Sequence, residues 1–407
     1  MADRLHFSAM EDGTGAVDGN VEWTNLGAGL MGDFSTARPR SGTRSIKLTT
    51  GDALTKHIFQ PGGTGGWTTG RLFFRVYFNI QAWPTNSPWQ LFGGSNNAGS
   101  SVALLVQIID VSGSKRVRLR ANLPGTNSDG SFNLSLDTWY RIECRWLIAD
   151  SGGAIESRLY AGDSLNSLET LAISSIDSLP TSAERFFIGD TAADATVAVY
   201  VDDFAMNYNA SSDVWCGPGH VAFVLPAGDV TTQWSIGGSS PAATNWQGVD
   251  DCAPGAVDDG VTYNVEGASS TDFDRLSLAT LPAEIPADAV MQWLRVWARI
   301  GGNAGASRTM KMKLWDHNGT LTDGPECVCA VSGWRFSDHF EEIYYDLSNL
   351  SKAQVQQFNI GYMQGVSGSS SLERRVSAIA AHIEWMPSVT SRVFRRGSFG
   401  QDARLRR

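Results

Sequence analysis

The chain has 407 residues, with 42 acidic against 32 basic side chains and a net charge of -10. That length fits roughly two or three domains with cores that need no covalent staples. Charged residues make up 18% of the chain, against about 25% in an average globular protein. With 43 glycines and 14 tryptophans, this composition suits an all-β protein with many tight turns and excludes a disordered chain or a coiled coil. The acidic balance lacks the basic footprint of a nucleic-acid binder.

The first residues, Met1 to Phe7, contain no apolar run of the secretory kind. No stretch of about 18 apolar residues occurs, so no membrane insertion is expected. The five cysteines, Cys144, Cys216, Cys252, Cys327 and Cys329, are odd in number and lack a framework spacing. Free thiols are the expectation. Cys144 reads as a small core residue.

Period-two alternation runs through the first half. Leu72, Phe74, Val76, Phe78 and Ile80 share one side of a strand, opposite Arg71, Arg75 and Asn79. Val117 and Leu119 alternate with Arg116, Arg118 and Arg120. Tyr140, Ile142, Cys144, Trp146 and Ile148 alternate with Arg141, Glu143 and Arg145. Val197, Val199 and Val201 lead into Asp202 and Asp203. Such runs are half-buried strands, and the Gly, Ser, Asn and Asp between them are turn residues. A break at 207–219, with Gly217-Pro218-Gly219, reads as a linker.

A second strand-rich block continues to about Pro387. Its plainest hairpin pairs Met291–Ile300 with Thr309–Asp316 across a glycine-rich loop. One short helix is expected at 351–359. Ser351 is its N-cap, Gln354 completes a capping box, and Leu350 and Val355 form a hydrophobic staple. The fold class is therefore all-β: two β-sandwich, jelly-roll-like domains, one short helix in the second, and an extended C-terminal arm. The divisions are 1–210, 211–388 and a basic arm at 389–407.

Residues 5–208 resemble the concanavalin A-like, laminin G-type jelly rolls. The resemblance rests on Met10-Glu11-Asp12-Gly13, Arg40 through Leu48, Thr138 through Glu143, and Val199 through Phe204. The second block resembles a module of virion-associated proteins of tailed bacteriophages. It does so through Gln233-Trp234, Asn245 through Asp251, Asp258 through Tyr263, Asp272-Phe273, Leu281-Pro282 and the strands at 290–300 and 308–314. The two resemblances imply a structural component of a tailed phage particle: a minor tail, tail-tip or capsid-fibre protein, made in the host cytoplasm and carried in the virion. They also imply other virion subunits as partners, a homo-oligomer, and contact with a host surface glycan receptor. The alternatives are a carbohydrate-active depolymerase and a free carbohydrate-binding lectin.

The residues favour a non-enzyme. Glycoside hydrolysis needs two carboxylates held across a cleft, and no same-face pair at that spacing occurs. Glu341 and Glu342 are adjacent, as are Asp202 and Asp203, so regular strands would send each pair to opposite faces. His317 and His339 each follow an aspartate and read as turn residues. His382 reads as facing solvent or a neighbour. In the related carbohydrate-binding sandwiches a calcium ion often ties the first strand to the last. The resemblance implies Glu11, Asp12 and Asp202 as its candidate ligands, set against a simple turn and a strand cap.

Two further features ask for a partner. The hairpin would place Trp293, Arg295, Trp297, Arg299 and Trp315 on its outer face. Tryptophan and arginine are enriched at interface hot spots. The expected cover is another subunit first, then a loop or the first domain, then a glycan; the alternative is an inverted register with the tryptophans in the core. In the arm, Arg392, Arg395, Arg396, Arg404, Arg406 and Arg407 suit docking on an acidic neighbouring subunit, where guanidinium forks meet carboxylates.

Overall fold

The structure, a computed structural model, describes residues 3–9, 24–25, 33–49, 52–57, 66–96, 102–121, 125–178, 182–190, 196–250, 261–266, 269, 271–302, 308–329, 333–337, 340–365 and 373–388. Strands dominate it, as the alternation requires, and they form two sandwiches. No described helix is long and apolar enough to cross a membrane.

In the first sandwich, sheet A runs in the order Ser167–Ile176, Gly153–Ala161, Trp139–Ile148, Gly70–Ala82, Ala198–Asn209, Ser45–Leu48 and Asp33–Ser35, and Asp3–Ser8 also pairs with Ala198–Asn209. Sheet B faces it, ordered Thr126–Asp129, Ser114–Ala121, Val102–Val111, Trp89–Ser95, Arg185–Gly189, Ala53–His57 and Thr24–Asn25. Leu72, Phe74, Val76 and Phe78 of sheet A, with Trp146 of the same sheet, meet Leu104, Val106 and Phe186 of sheet B between them. Burying each such side chain stabilises the fold by about 1.5–3 kcal/mol.

In the second sandwich, sheet C is built on Arg374–Met386 and Val290–Gly302, joined by His220–Val224, Tyr263–Val265, Ser235–Gly237, Gly333–Phe336 and Ile343–Asp346. Sheet D is ordered Pro226–Thr231, Phe273–Leu278, Asn359–Gln364, Thr309–Trp315 and Leu321–Val328. Leu294, Val296, Ala298 and Ile300 of sheet C pack on Met310, Met312 and Leu314 of sheet D.

That packing overturns the expected hairpin. Val290–Gly302 pairs with Arg374–Met386, Gly333–Phe336 and Ile343–Asp346. Thr309–Trp315 pairs with Leu321–Val328 and Asn359–Gln364. The two strands lie in opposite sheets, and their apolar sides meet across the core rather than along one sheet.

The helix spans Lys352–Val355, shorter than the expected 351–359, but its start is as the sequence reads: Ser351 caps it and the reciprocal capping box with Gln354 is complete. Val355 is buried in the core with Leu350 packed against it.

One feature of Gly70–Ala82 departs from a half-buried strand. Phe73, Arg75 and Tyr77, on the side away from the core, are as buried as the core residues. Something covers the outer face of sheet A, and it is the outer face of sheet C.

Candidate functional site: the seam between the two sandwiches

Arg75 lies in the middle of sheet A and points outward, yet its side chain is 0% exposed. Its Nη1 donates to Glu384 Oε1 of sheet C at 2.7 Å and to the Gly217 carbonyl at 3.2 Å, and its Nε donates to the Asp203 carbonyl at 3.1 Å. Arg4 pairs with the other Glu384 oxygen at 2.8 Å. An isolated buried charge is expensive, so each of these ions depends on the others. Burial works against the charge of Arg75, but Glu384, together with Tyr77, Cys216 and Asp203, outweighs it and holds the guanidinium protonated well above the ordinary arginine range. Gly219 makes this approach possible. A Cβ there would stand 2.5 Å from Arg75 Nη1 and 3.0 Å from Glu384 Oε1.

A second arginine crosses in the other direction. Arg295 of sheet C forks onto Glu342, Nε to Oε2 at 2.6 Å and Nη2 to Oε1 at 2.7 Å. Its Nη1 donates to the Phe7 carbonyl of sheet A at 2.9 Å and meets His382 Nδ1 at 3.1 Å. Tyr344 donates to Glu342 at 2.8 Å, and His6 Nδ1 lies 3.2 Å from the Tyr344 hydroxyl. Around these ions Phe7, Phe73, Ala205, Cys216 and Val221 form a small apolar cluster, with Trp215, Phe223, Trp293 and Tyr344 against it.

The third group sits where the chain enters the second sandwich. Asp203 has a left-handed backbone, φ 52°, at a bulge in Ala198–Asn209. The bulge turns both Asp202 and Asp203 toward the Arg40–Ser41 segment, so the adjacent carboxylates do not diverge as a regular strand would send them. Asp202 accepts the Arg40 N–H at 2.8 Å and the Asp203 N–H at 2.8 Å. Asp203 takes the Arg40 guanidinium, the Ser41 hydroxyl and, at 2.6 Å, the Val221 N–H. Arg40 also reaches Asp163 and donates to the Gly219 carbonyl at 3.0 Å. Burial favours a neutral Asp163, but Arg40 and then His220 hold it well below the usual carboxylate range. Burial, and then the charge of Asp203, pushes Asp202 well above that range. At the rim, both oxygens of Glu284 accept the Gly42 N–H at 2.8 Å.

The sequence-predicted site residues are thus divided. Trp293 and Arg295 lie in the seam, under the first sandwich. Trp297 and Arg299 are each 3% exposed. Trp297 packs with Phe223, Leu225, Phe336, Ala378 and Ala380, and Arg299 lies 4.8 Å from the Phe336 ring centroid. Trp315 belongs to the other sheet, with Phe273 at 5.6 Å and Arg275 over its ring. The continuous outward face of three tryptophans does not form, because its two strands never pair. Of its two expected settings His382 has the neighbour: it is fully buried against Arg295. Asp316 accepts the Asn318 and Thr320 N–H groups, so Asp316-His317 is a turn.

Glu11 and Asp12, the other candidate calcium ligands, lie outside the described residues, as do His339 and all six arm arginines. Asp202 does not fit a calcium ligand: its oxygens are held by backbone N–H donors beside the Arg40 cation. Among the described residues no group of three or more His, Cys, Asp or Glu side chains is placed to hold a metal.

The motif of the second block also has a structural account. Asp274 is wholly buried. Its Oδ1 accepts the Gln233 and Trp234 N–H groups at 2.8 and 3.0 Å. Its Oδ2 accepts Asn245 Nδ2 at 2.7 Å and the Tyr362 hydroxyl at 2.8 Å. Asp229 holds the Asn245 and Trp246 N–H groups at 3.1 and 2.8 Å, fixing the 3-10 turn Trp246–Gly248. Asp229 and Asp274, which lie outside the motif, thus anchor its Gln233-Trp234 and Asn245-Trp246 segments to the sandwich.

No protein-family profile and no curated protein matches the chain. Solved structures similar to it include the CBM2 module of the evolved Dit of Lactobacillus casei BL23 phage J-1, 12% identical, covering 52% of this chain and 98% of the module at a TM-score of 0.35. Peanut lectin is 10% identical and covers 51% of this chain and 98% of its own at 0.32. Lectin I-B4 from Griffonia simplicifolia is 10% identical and covers 46% and 93% at 0.32.

Proposed function

We propose that the chain is a structural component of a tailed-phage particle, a minor tail, tail-tip or capsid-fibre protein whose two sandwiches act as one rigid unit. The observation that carries this reading is the seam. Its arginines and carboxylates are spent on one another and on the chain, as in a load-transmitting joint, and are not arrayed around a substrate. The resemblance of the second block to virion-associated modules supplies the setting. Partners are other virion subunits, with a second copy of the chain among them, and the exposed surfaces of the first sandwich are where a host glycan would be met. The basic arm at 389–407 docks on an acidic neighbour.

The test is composition of purified particles. A band at 43.9 kDa, decorated by antibody at one place on intact particles, supports the proposal. Particles lacking the chain, together with release of reducing or unsaturated sugar ends by the isolated protein, would replace it with the depolymerase reading.

A further inference from the structure

Three of the six histidines, His6, His220 and His382, lie at the seam, and each touches the opposite sandwich. We propose that His220 is a proton-operated release for this joint: neutral in the closed seam, and parting the sandwiches when it takes up a proton.

The position of His220 carries the argument. Its Nε2 stands 3.2 Å from Asp163 Oδ2 and 3.3 Å from Arg40 Nη2. One nitrogen therefore faces both an acceptor and a cationic donor. A neutral ring satisfies the site in either tautomer, donating to Asp163 or accepting from Arg40. An imidazolium can only donate, which sets it against Arg40 as a like charge. Asp163 gives incomplete compensation: Oδ2 faces His220, but Oδ1 takes the Arg40 guanidinium and the Tyr77 hydroxyl at 2.9 Å, so one negative charge would have to serve two cations. One face of the ring is stacked on Trp385 at 4.4 Å, which keeps water off that face.

The charged and titratable groups around it come from every neighbouring element. Arg40 follows Asp33–Ser35, Tyr77 and Arg75 lie on Gly70–Ala82, Asp163 follows Gly153–Ala161, Asp203 lies on Ala198–Asn209, and Glu384 lies on the paired strand Arg374–Met386. Burial first and Arg40 second push the His220 pKa down, against the pull of Asp163.

The sign follows. A histidine whose folded pKa is depressed contributes stability that is complete at neutral pH. That stability is lost as pH falls below the unfolded value of about 6.5 and through the lower folded one. The loss falls on the joint because of what flanks His220. The Gly219 carbonyl holds Arg40, Gly219 itself makes room for Arg75 and Glu384, and the Val221 N–H is held by Asp203. Moving the ring pulls on all three.

Cys216 gives a local readout, since it is buried in the seam against Phe73 and Ala205. The full chain is labelled with a pyridyl disulfide, which reacts in mild acid, across the range of about pH 8 to 5 in which histidine titrates. Histidine ring NMR and X-ray scattering accompany the labelling. The expected result is that Cys216 labelling and the radius of gyration rise together, at the pH where His220 itself titrates. His220→Gln, whose amide can both donate and accept, stays closed over the same range, whereas His382→Gln opens like the wild type. If His220→Gln opens in step with the wild type, or if His382→Gln alone abolishes opening, the proposal is wrong. Should His220→Gln fail to fold, the wild-type titration decides: a His220 that protonates at or above the ordinary histidine value, or does so with Cys216 still protected, overturns it.

Discussion

Arg75 and Glu384 are 309 positions apart in sequence and 2.7 Å apart in space. One is fixed by the first sandwich, the other by the second, so their pairing reports whether the two are docked. Breaking a buried pair by removing one partner typically costs about 3–5 kcal/mol, because the other charge is left stranded. Glu384 keeps Arg4, so Arg75→Ala is expected near the lower end, about 3 kcal/mol by urea unfolding. Arg75→Lys is expected to lose less, retaining the charge but not the fork that also reaches the Gly217 and Asp203 carbonyls. Equal stability of Arg75→Ala and the wild type would mean the sandwiches do not rest on this pair.

Trp297→Ser is expected to destabilise the monomer by about 3–5 kcal/mol, the usual loss for a buried tryptophan cut back to a small residue. Trp293 is only partly buried at the seam, and Trp293→Ser should cost less. Thermal unfolding with size-exclusion chromatography separates the possibilities. An unchanged melting temperature with lost self-association would show that these rings serve a subunit contact.

The architecture was legible because period-two alternation and turn residues are local signals, and the capping box at Ser351 is local too. Strand pairing is not. Met291–Ile300 and Thr309–Asp316 carry alternation that serves equally well for neighbours in one sheet and for partners facing across a core, and nothing in the intervening glycines decides between them. The seam left a faint trace. Phe73 and Tyr77 interrupt the polar side formed by Arg71, Arg75 and Asn79, and Trp293 and Trp297 alternate with arginines. Aromatic residues among arginines on the side away from the core signal a covered face. What covers it is set by contacts some 300 residues away, which no short window contains. The left-handed bulge at Asp203 was equally hidden, since a side chain that usually avoids that backbone is held there by its partners.

The cysteines give a prediction that needs no change to the chain. Cys144, Cys216, Cys327 and Cys329 are free and buried. Burial pushes the thiols of Cys216 and Cys329 up to about 12 and raises those of Cys144 and Cys327 well above the ordinary value. The thiolate is the reactive form, so these four should resist alkylation at neutral pH and react on unfolding. Mass spectrometry of unreduced protein alkylated in denaturant should find all five thiols of the chain modified. A disulfide surviving there would contradict the expectation of a reduced chain.

Asp274 offers the sharpest test of what holds the Gln233-Trp234 segment and Asn245 in place. Its two oxygens serve Gln233, Trp234, Asn245 and Tyr362 at 2.7–3.0 Å, all within the sandwich. Asp274→Ala would strand these donors in a buried site. Each orphaned group costs about 1–3 kcal/mol, though not additively, so a total loss of at least about 3 kcal/mol is expected. Asp274→Asn should be milder. Its remaining oxygen can still accept the two backbone N–H groups, while the Tyr362 hydroxyl can turn to accept from the new amide. Thermal unfolding followed by tryptophan fluorescence reads both variants. If Asp274→Ala melts like the wild type, this aspartate is no structural anchor; if it unfolds early, Asp274 is the folding anchor that holds the Gln233-Trp234 segment and Asn245 to the sandwich.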